Sequence, residues 1–220
     1  GTITMPPVYL HHRINCAARC WSQVADNIQQ SKLLKTADGA SAIYGIWRSQ
    51  IGLPRDSLTM ISVWPDAATA SSIAANTHRE LPLIKSSTAA IMRPTLRPKS
   101  NEPPVKQGNY AFRWFETPRK NFNEFLQLCT EAWPSFESSY ESQIIGLWQL
   151  EDTDSDMISS LLLTRRPDLS MWERSKIPRT PEEIATREKL TRRYALCENT
   201  VVYTTTLLTA HDSIDSVNWS

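Results

Sequence analysis

Two adjacent histidines, His11 and His12, sit in a stretch from Val8 to Asn15 whose aromatic and β-favouring residues predict a strand. Successive side chains on a strand point to opposite faces, so one of the two imidazoles is expected to face an enclosed interior, where it would serve as general acid or base near neutral pH. Arg13 and Asn15 follow on the same stretch, and a second strand-like segment, Tyr110 to Glu116, carries Arg113 and Glu116. An inward guanidinium there would orient a carboxylate or enolate oxygen. His11, His12, Arg113 and Glu116 are therefore the candidate catalytic groups. Arg13, Tyr44, Trp47, Trp64, Trp148 and Arg166 are the candidate substrate-binding residues. The chain has 8 tryptophans, more than a minimal core requires, and Trp47 and Trp148 read either as paired cavity walls or as paired packing anchors.

A further group of cations, Arg165, Arg166, Arg187, Arg192 and Arg193, makes the second half locally basic. Glu182, Glu183 and Glu188 are interleaved with them at helical spacings, which reads as a solvated helix face; a site for an anionic ligand is the alternative. No Gly-x-Ser-x-Gly elbow, P-loop, dinucleotide fingerprint or His-Glu-x-x-His motif occurs, which disfavours hydride and phosphoryl transfer. Cys16, Cys20, Cys129 and Cys197 lack zinc-finger spacing and are expected to be reduced, buried small hydrophobes, with no metal site. With 24 Lys plus Arg against 23 Asp plus Glu, the net charge of +1 gives no footprint for nucleic acid. No apolar run approaches the ~18 residues of a membrane span, and the first residues lack the basic and apolar regions of a signal peptide. A soluble protein, located in the cytoplasm, is the expectation.

The elements that must position these groups come in two copies. Ile43-Tyr44-Gly45-Ile46-Trp47 recurs 101 residues later as Ile144-Ile145-Gly146-Leu147-Trp148, and the same offset matches Tyr9 with Tyr110, Trp21 with Phe122 and Val24 with Phe125. After one inserted residue, Pro65-Asp66 falls on Pro167-Asp168. The proline-rich stretch from Arg93 to Pro104 forbids a helix and suits an extended linker. Each copy reads as a strand, a helix (Trp21 to Ile28; Phe122 to Trp133), a second strand (Ala42 to Arg48; Ile144 to Leu150) and a third (Ser57 to Trp64; Ile158 to Arg165) in a hairpin with the second. The polar turns of the two hairpins are Gly52 to Asp56 and Glu151 to Asp156. Helices then start on Asp66 and Asp168 and run over Ala67 to Asn76 and Leu169 to Ser175, with a further helix at Glu182 to Leu196. Closing strands are expected at Thr88 to Met92 and Thr200 to Leu208. The order βαββαβ is the ferredoxin-like pattern, so the fold class is α+β, with repeats at residues 1–100 and 101–220.

On these residues the chain resembles the dimeric α+β barrel superfamily and, within it, the NIPSNAP-like proteins. The resemblance rests on the opening strand Tyr110-Ala111-Phe112-Arg113, the Gly-hydrophobic-Trp strands at Gly45-Ile46-Trp47 and Gly146-Leu147-Trp148, and the strand end Trp64-Pro65-Asp66. It implies an intrachain barrel made by tandem ferredoxin-like repeats, and a cavity in which a superfamily member acts on a small, largely apolar organic molecule by acid/base chemistry or cofactor-free oxygenation, as a lyase, isomerase, cyclase or monooxygenase. A non-catalytic NIPSNAP-type binding or scaffold protein is the alternative. Heme binding is the third reading, because His78 follows Trp64 at a distance similar to the Trp and His of heme-degrading relatives. A homodimer of two-repeat chains is the assembly considered. The copies differ at informative places: His12 falls on Arg113, Tyr44 on Ile145 and Trp64 on Arg166, which leads to the expectation of one open pocket and one blocked.

Overall fold

The computed structural model describes residues 5–151 and 156–212. The chain divides into two compact units: unit 1 runs to Arg93, takes in Ser100–Gln107 and resumes at Thr205, while unit 2 is Pro94–Lys99 with Gly108–Thr204. Compactness thus does not follow a single cut at residue 100. The reason lies in hydrogen bonds of the chain end, where Leu208 N donates to Ile46 O and Gln107 Nε2 to Leu207 O.

Unit 1 contains β1 (Val8–Cys16), α1 (Trp21–Gln30), β2 (Ile43–Ile51), β3 (Ser57–Trp64), α2 (Ala67–Glu80) and β4 (Ile84–Pro94). Its antiparallel strands lie in the order β4-β1-β3-β2. Unit 2 repeats the plan with β5 (Asn109–Pro118), α3 (Phe122–Ser139), β6 (Gln143–Leu150) and β7 (Met157–Arg166). It then has two helices in place of one, α4 (Leu169–Arg174) and α5 (Pro181–Ala195), before β8 (Asn199–Leu207). The equivalent order, β8-β5-β7-β6, follows. The fold is mixed α+β, built of two ferredoxin-like repeats, and both expected hairpins, β2–β3 and β6–β7, are formed. Most of the polar turn at Glu151 to Asp156 lies outside the described residues.

Local chemistry accounts for the boundaries. Asp66 Oδ1 accepts from Thr69 N at 2.7 Å and Asp168 Oδ1 from Met171 N at 2.8 Å, each satisfying an otherwise orphaned N–H at the start of its helix. Thr180 caps α5 with Pro181 at its first turn. Helix α3 runs beyond Trp133 through Pro134 to Ser139, because its second half still has an apolar face, Trp133 and Phe136, to bury.

Period-two alternation decides what faces the helices. In unit 1 Val8, Leu10, Ile14, Ile46, Leu58 and Met60 pack under Val24 and Ile28 of α1 and Ala70 of α2. In unit 2 Phe115, Leu147 and Leu162 meet Phe125, Cys129 and Trp133 of α3 and Leu190 of α5. The four cysteines are unpaired, and Cys16 and Cys129 serve these cores as small hydrophobes. Trp47 and Trp148, fully buried, lie over the glycine two residues earlier: a Cβ on Gly45 would sit 2.4 Å from the Trp47 ring, and one on Gly146 2.5 Å from that of Trp148. The Gly-hydrophobic-Trp motif is thus a packing device. Among the described residues no helix is long and apolar enough to cross a membrane.

Candidate functional site

The register places His12 of β1 opposite Met60 and Arg113 of β5 opposite Leu162, so the two occupy equivalent positions on the helix-covered faces of their units. The same holds for Trp64 and Arg166 at the ends of β3 and β7. What the two sets build is different. In unit 1, Trp64 is 2% exposed and donates from Nε1 to Ser62 Oγ at 2.7 Å, while His12 Nε2 lies 2.8 Å from the same oxygen. An indole, an imidazole and a hydroxyl fill the space. In unit 2, Arg113 and Arg166 replace the two rings, Thr164 replaces the serine, and a cavity of about 40 Å³ remains between them.

Helices α4 and α5 and the turn between them complete that pocket. Trp172 and Lys176 come from α4 and its end, and Arg187, Leu190, Arg193 and Tyr194 from α5. Trp133 and Phe136 of α3 form an aromatic wall. Four guanidiniums, those of Arg113, Arg166, Arg187 and Arg193, and the Lys176 amine therefore share one pocket, with no carboxylate among the described residues that line it. They are held by neutral partners. Arg113 Nη1 donates to Thr200 Oγ1 at 3.0 Å, Arg166 Nε to Ser175 Oγ at 3.1 Å, and Arg187 Nη2 to the Ser175 carbonyl at 2.5 Å. Aromatic faces carry the rest: Arg166 over Phe136 at 5.3 Å, Arg193 over Phe115 at 4.8 Å and Lys176 over Trp172 at 5.1 Å. Arg166 Nη1, Arg187 Nε and Arg193 Nε are buried without a hydrogen-bond partner among the described residues.

Burial and mutual repulsion depress the basicity of this set. Lys176 is lowered to about 6, by desolvation first and then by Arg113, Arg166, Arg187 and Arg193, so its amine is mostly neutral at pH 7. Arg166 is lowered to about 9 by burial and then by Arg113 and Arg187, and stays charged. The pocket thus sets a neutral amine among guanidiniums with unspent donors. Such an arrangement can accept a proton and hold the oxyanion that results.

Of the candidate catalytic and substrate-binding residues, Arg113 and Arg166 come together here, and with them Arg187 and Arg193 of the basic cluster for which the sequence offered an anionic-ligand site as the alternative. The other candidates lie elsewhere. His11 and His12 are buried in unit 1 and both lowered to about 3, His11 by burial, then Arg13 and His12, and His12 by burial. Arg13 donates to Thr59 Oγ1 at 2.7 Å and to the Leu58 carbonyl at 3.0 Å. Glu116 accepts from Ser159 Oγ at 2.6 Å; three positions from Arg113 on one strand, it points to the opposite face. Tyr44 stands edge-on to Tyr9 at 5.5 Å and lines a separate groove of unit 1 with His211.

Heme does not fit the unit 2 pocket. His78 lies on the exposed side of α2, His12 Nε2 is engaged by Ser62, and no His, Cys or Met lines the unit 2 pocket. Among the described residues no cluster of His, Cys, Asp or Glu is placed to hold a metal ion.

Lys176, Arg187, Arg193 and Trp172 are pocket residues that the candidate set omitted. A signal for Arg193 was present: Glu183, Thr186, Leu190 and Arg193 are the buried residues of α5, at alternating steps of three and four, so Arg193 shares the inward stripe of Leu190. Glu183, on the same stripe, is taken by Arg174 at 2.6 Å and does not neutralise the pocket.

No family model matches the chain, and no curated protein matches it. Solved structures do. A candidate monooxygenase from Fusobacterium nucleatum superposes with a TM-score of 0.60 at 10% identity, covering 94% of this chain and 94% of the other. An anthrone oxidase-like protein gives 0.58 at 10% identity over 92% and 91%. A chlorite dismutase variant from Candidatus Nitrospira defluvii gives 0.56 at 9% over 91% of each chain. At such identities the likeness is one of fold, and it extends over nearly the whole chain.

Proposed function

We propose that the unit 2 pocket is the active site of a small-molecule enzyme of oxygenase type that converts its substrate to an anion in the site. The observation that carries this is the Lys176 amine placed with Arg113 and Arg166 in one aromatic-walled pocket that has no carboxylate. The neutral amine removes a proton from an enolisable or phenolic substrate. Arg166 and Arg113 hold the oxygen on which charge develops, and Trp172 and Phe136 exclude water around it. Dioxygen then accepts the electron pair of the resonance-stabilised carbanion, and the hydroperoxide formed loses water. The balance for an activated methylene is CH2 + O2 → C=O + H2O. The names of the fold neighbours, monooxygenase and anthrone oxidase-like, favour this chemistry over lyase or isomerase chemistry. The sequence-based expectation of a largely apolar substrate is thereby narrowed to an aromatic body with an ionisable oxygen.

The test is oxygen consumption with anthrones and naphthols as substrates. Arg166→Gln and Lys176→Met should each lower kcat/KM at least tenfold, which corresponds to about 1.4 kcal/mol of transition-state stabilisation. Unchanged rates in both variants would exclude the assignment.

A non-catalytic NIPSNAP-type protein is the second reading, favoured by one observation. The Gly-hydrophobic-Trp strands on which that resemblance rests serve packing and expose nothing to a pocket. Ligand binding without oxygen consumption by any substrate would support it.

A further inference from the structure

Four guanidiniums converge on the unit 2 pocket beside the neutral Lys176 amine, yet one oxyanion, as the proposed chemistry requires, satisfies at most two of them. Among the described residues none of the four is in an ion pair; Arg97–Glu137 and Arg174–Glu183 involve other residues. Arg166 and Arg193, each 4% exposed, retain partnerless buried nitrogens, and so does Arg187. Uncompensated charge of one sign, removed from water, is expensive unless a counter-charge completes it. The cations also fall into two groups by origin. Arg113 and Arg166 project from the sheet, on β5 and β7, whereas Arg187 and Arg193 project from α5. The aromatic wall supplied by Phe136 faces the same pocket.

We infer that the natural ligand of this pocket is an aromatic molecule bearing at least two anionic groups, one met by Arg113 and Arg166 on the sheet and a second, fixed carboxylate- or sulfonate-like group met by Arg187 and Arg193 on α5. This rests on the proposed function only for the identity of the first, reacting group; the second is a recognition group that takes no part in the chemistry. Each of the two guanidiniums retains an unpaired buried Nε–H donor, which an anionic oxygen would accept. The lowered basicity of Lys176, caused after burial by the surrounding guanidiniums, agrees with a shortage of negative charge in the pocket. A dianion would supply it.

The experiment is calorimetric titration of the whole chain with four probes at low ionic strength: naphthalene-2-carboxamide, 2-naphthoate, naphthalene-2,6-dicarboxylate and inorganic phosphate. The dicarboxylate is expected to bind at least tenfold more tightly than the monocarboxylate, with the amide and phosphate weaker than both. Arg187→Gln and Arg193→Gln should each reduce the dicarboxylate advantage over 2-naphthoate to less than threefold. A thermal melt of each variant identifies any that does not fold, and Arg187→Lys, which keeps a cationic head and loses the Nε–H donor, should fall between wild type and Gln. Equal binding of amide and dicarboxylate, a preference that survives in folded Arg187→Gln and Arg193→Gln, phosphate binding as tight as the dicarboxylate, or binding of no probe at millimolar concentration would each overturn the inference. The two readings fail separately. A charge preference with no oxygen consumption removes the enzyme and keeps the dianion, whereas turnover of neutral and charged substrates alike does the reverse.

Discussion

At the scale of single residues, equivalent positions have diverged into opposite roles. His12 and Trp64 close one unit around Ser62, while Arg113 and Arg166 keep the other open. The comparison between repeats made this legible, since a ring opposite a guanidinium at two matched positions implies different pockets. Lys176 was not legible by charge pattern, and Arg187 and Arg193 were legible only as the alternative to a solvated face. Interleaved Glu and Arg on α5 resemble a solvated face, and only the phase of Leu190 separates the inward arginine from the outward ones. His11 and His12 attracted a catalytic reading by residue type, but their burial keeps them neutral. Their folded pKa of about 3 lies below the ordinary 6.5, so the unfolded chain binds more protons between those values. Stability should therefore be complete above pH 6.5 and fall as pH drops toward 3, by up to about 1.4 kcal/mol per pH unit for each imidazole. His12→Gln, which retains a donor for Ser62, should give a shallower slope in urea denaturation between pH 6.5 and 4; an unchanged slope would contradict this account. For Lys176 the sign is the same in a different window. Its folded pKa of about 6 is below the ordinary 10.5, so stability rises with pH between them, and Lys176→Met should raise the thermal midpoint at pH 7.

At the scale of elements, hydrophobic period and stop signals located most strands and helices. β3 begins and ends where the alternation of Ser57 to Trp64 predicts, and both helices after the third strands begin at the Asp–Pro boundary. The ends of α2 and α3 ran longer than the sequence suggested, because tertiary burial of Thr77 and Phe136 extends each beyond its last obvious apolar residue. Two substitutions test the local arguments. Asp168→Ala should destabilise by about 1 kcal/mol through loss of the cap, and loosen the α4 segment that carries Trp172 and Lys176. Gly146→Ala should cost about 1–3 kcal/mol or more, because a methyl 2.5 Å from the Trp148 ring forces the indole or the strand to move. Urea midpoints read both; a Gly146→Ala protein as stable as wild type would refute the packing role given to the motif.

At the scale of the whole molecule, duplication separates structural from functional demands. Unit 1 spends its helix-covered face entirely on packing, whereas unit 2 gives part of the same face to a charged pocket and so leaves like charges unsatisfied. Stability and function then compete in unit 2 alone, and an anionic ligand should relieve the competition there. Hydrogen exchange with naphthalene-2,6-dicarboxylate present should slow in β5, β7 and α5 and remain unchanged in β1 and β3. The most direct test of the account is a crystal structure of the protein with that dicarboxylate. The account predicts density for the ligand in unit 2, one carboxylate against Arg113 and Arg166 and the other against Arg187 and Arg193, with Trp64, His12 and Ser62 filling unit 1 as before. Ligand in unit 1, or a unit 2 pocket closed by its own side chains with the guanidiniums turned to solvent, would contradict it.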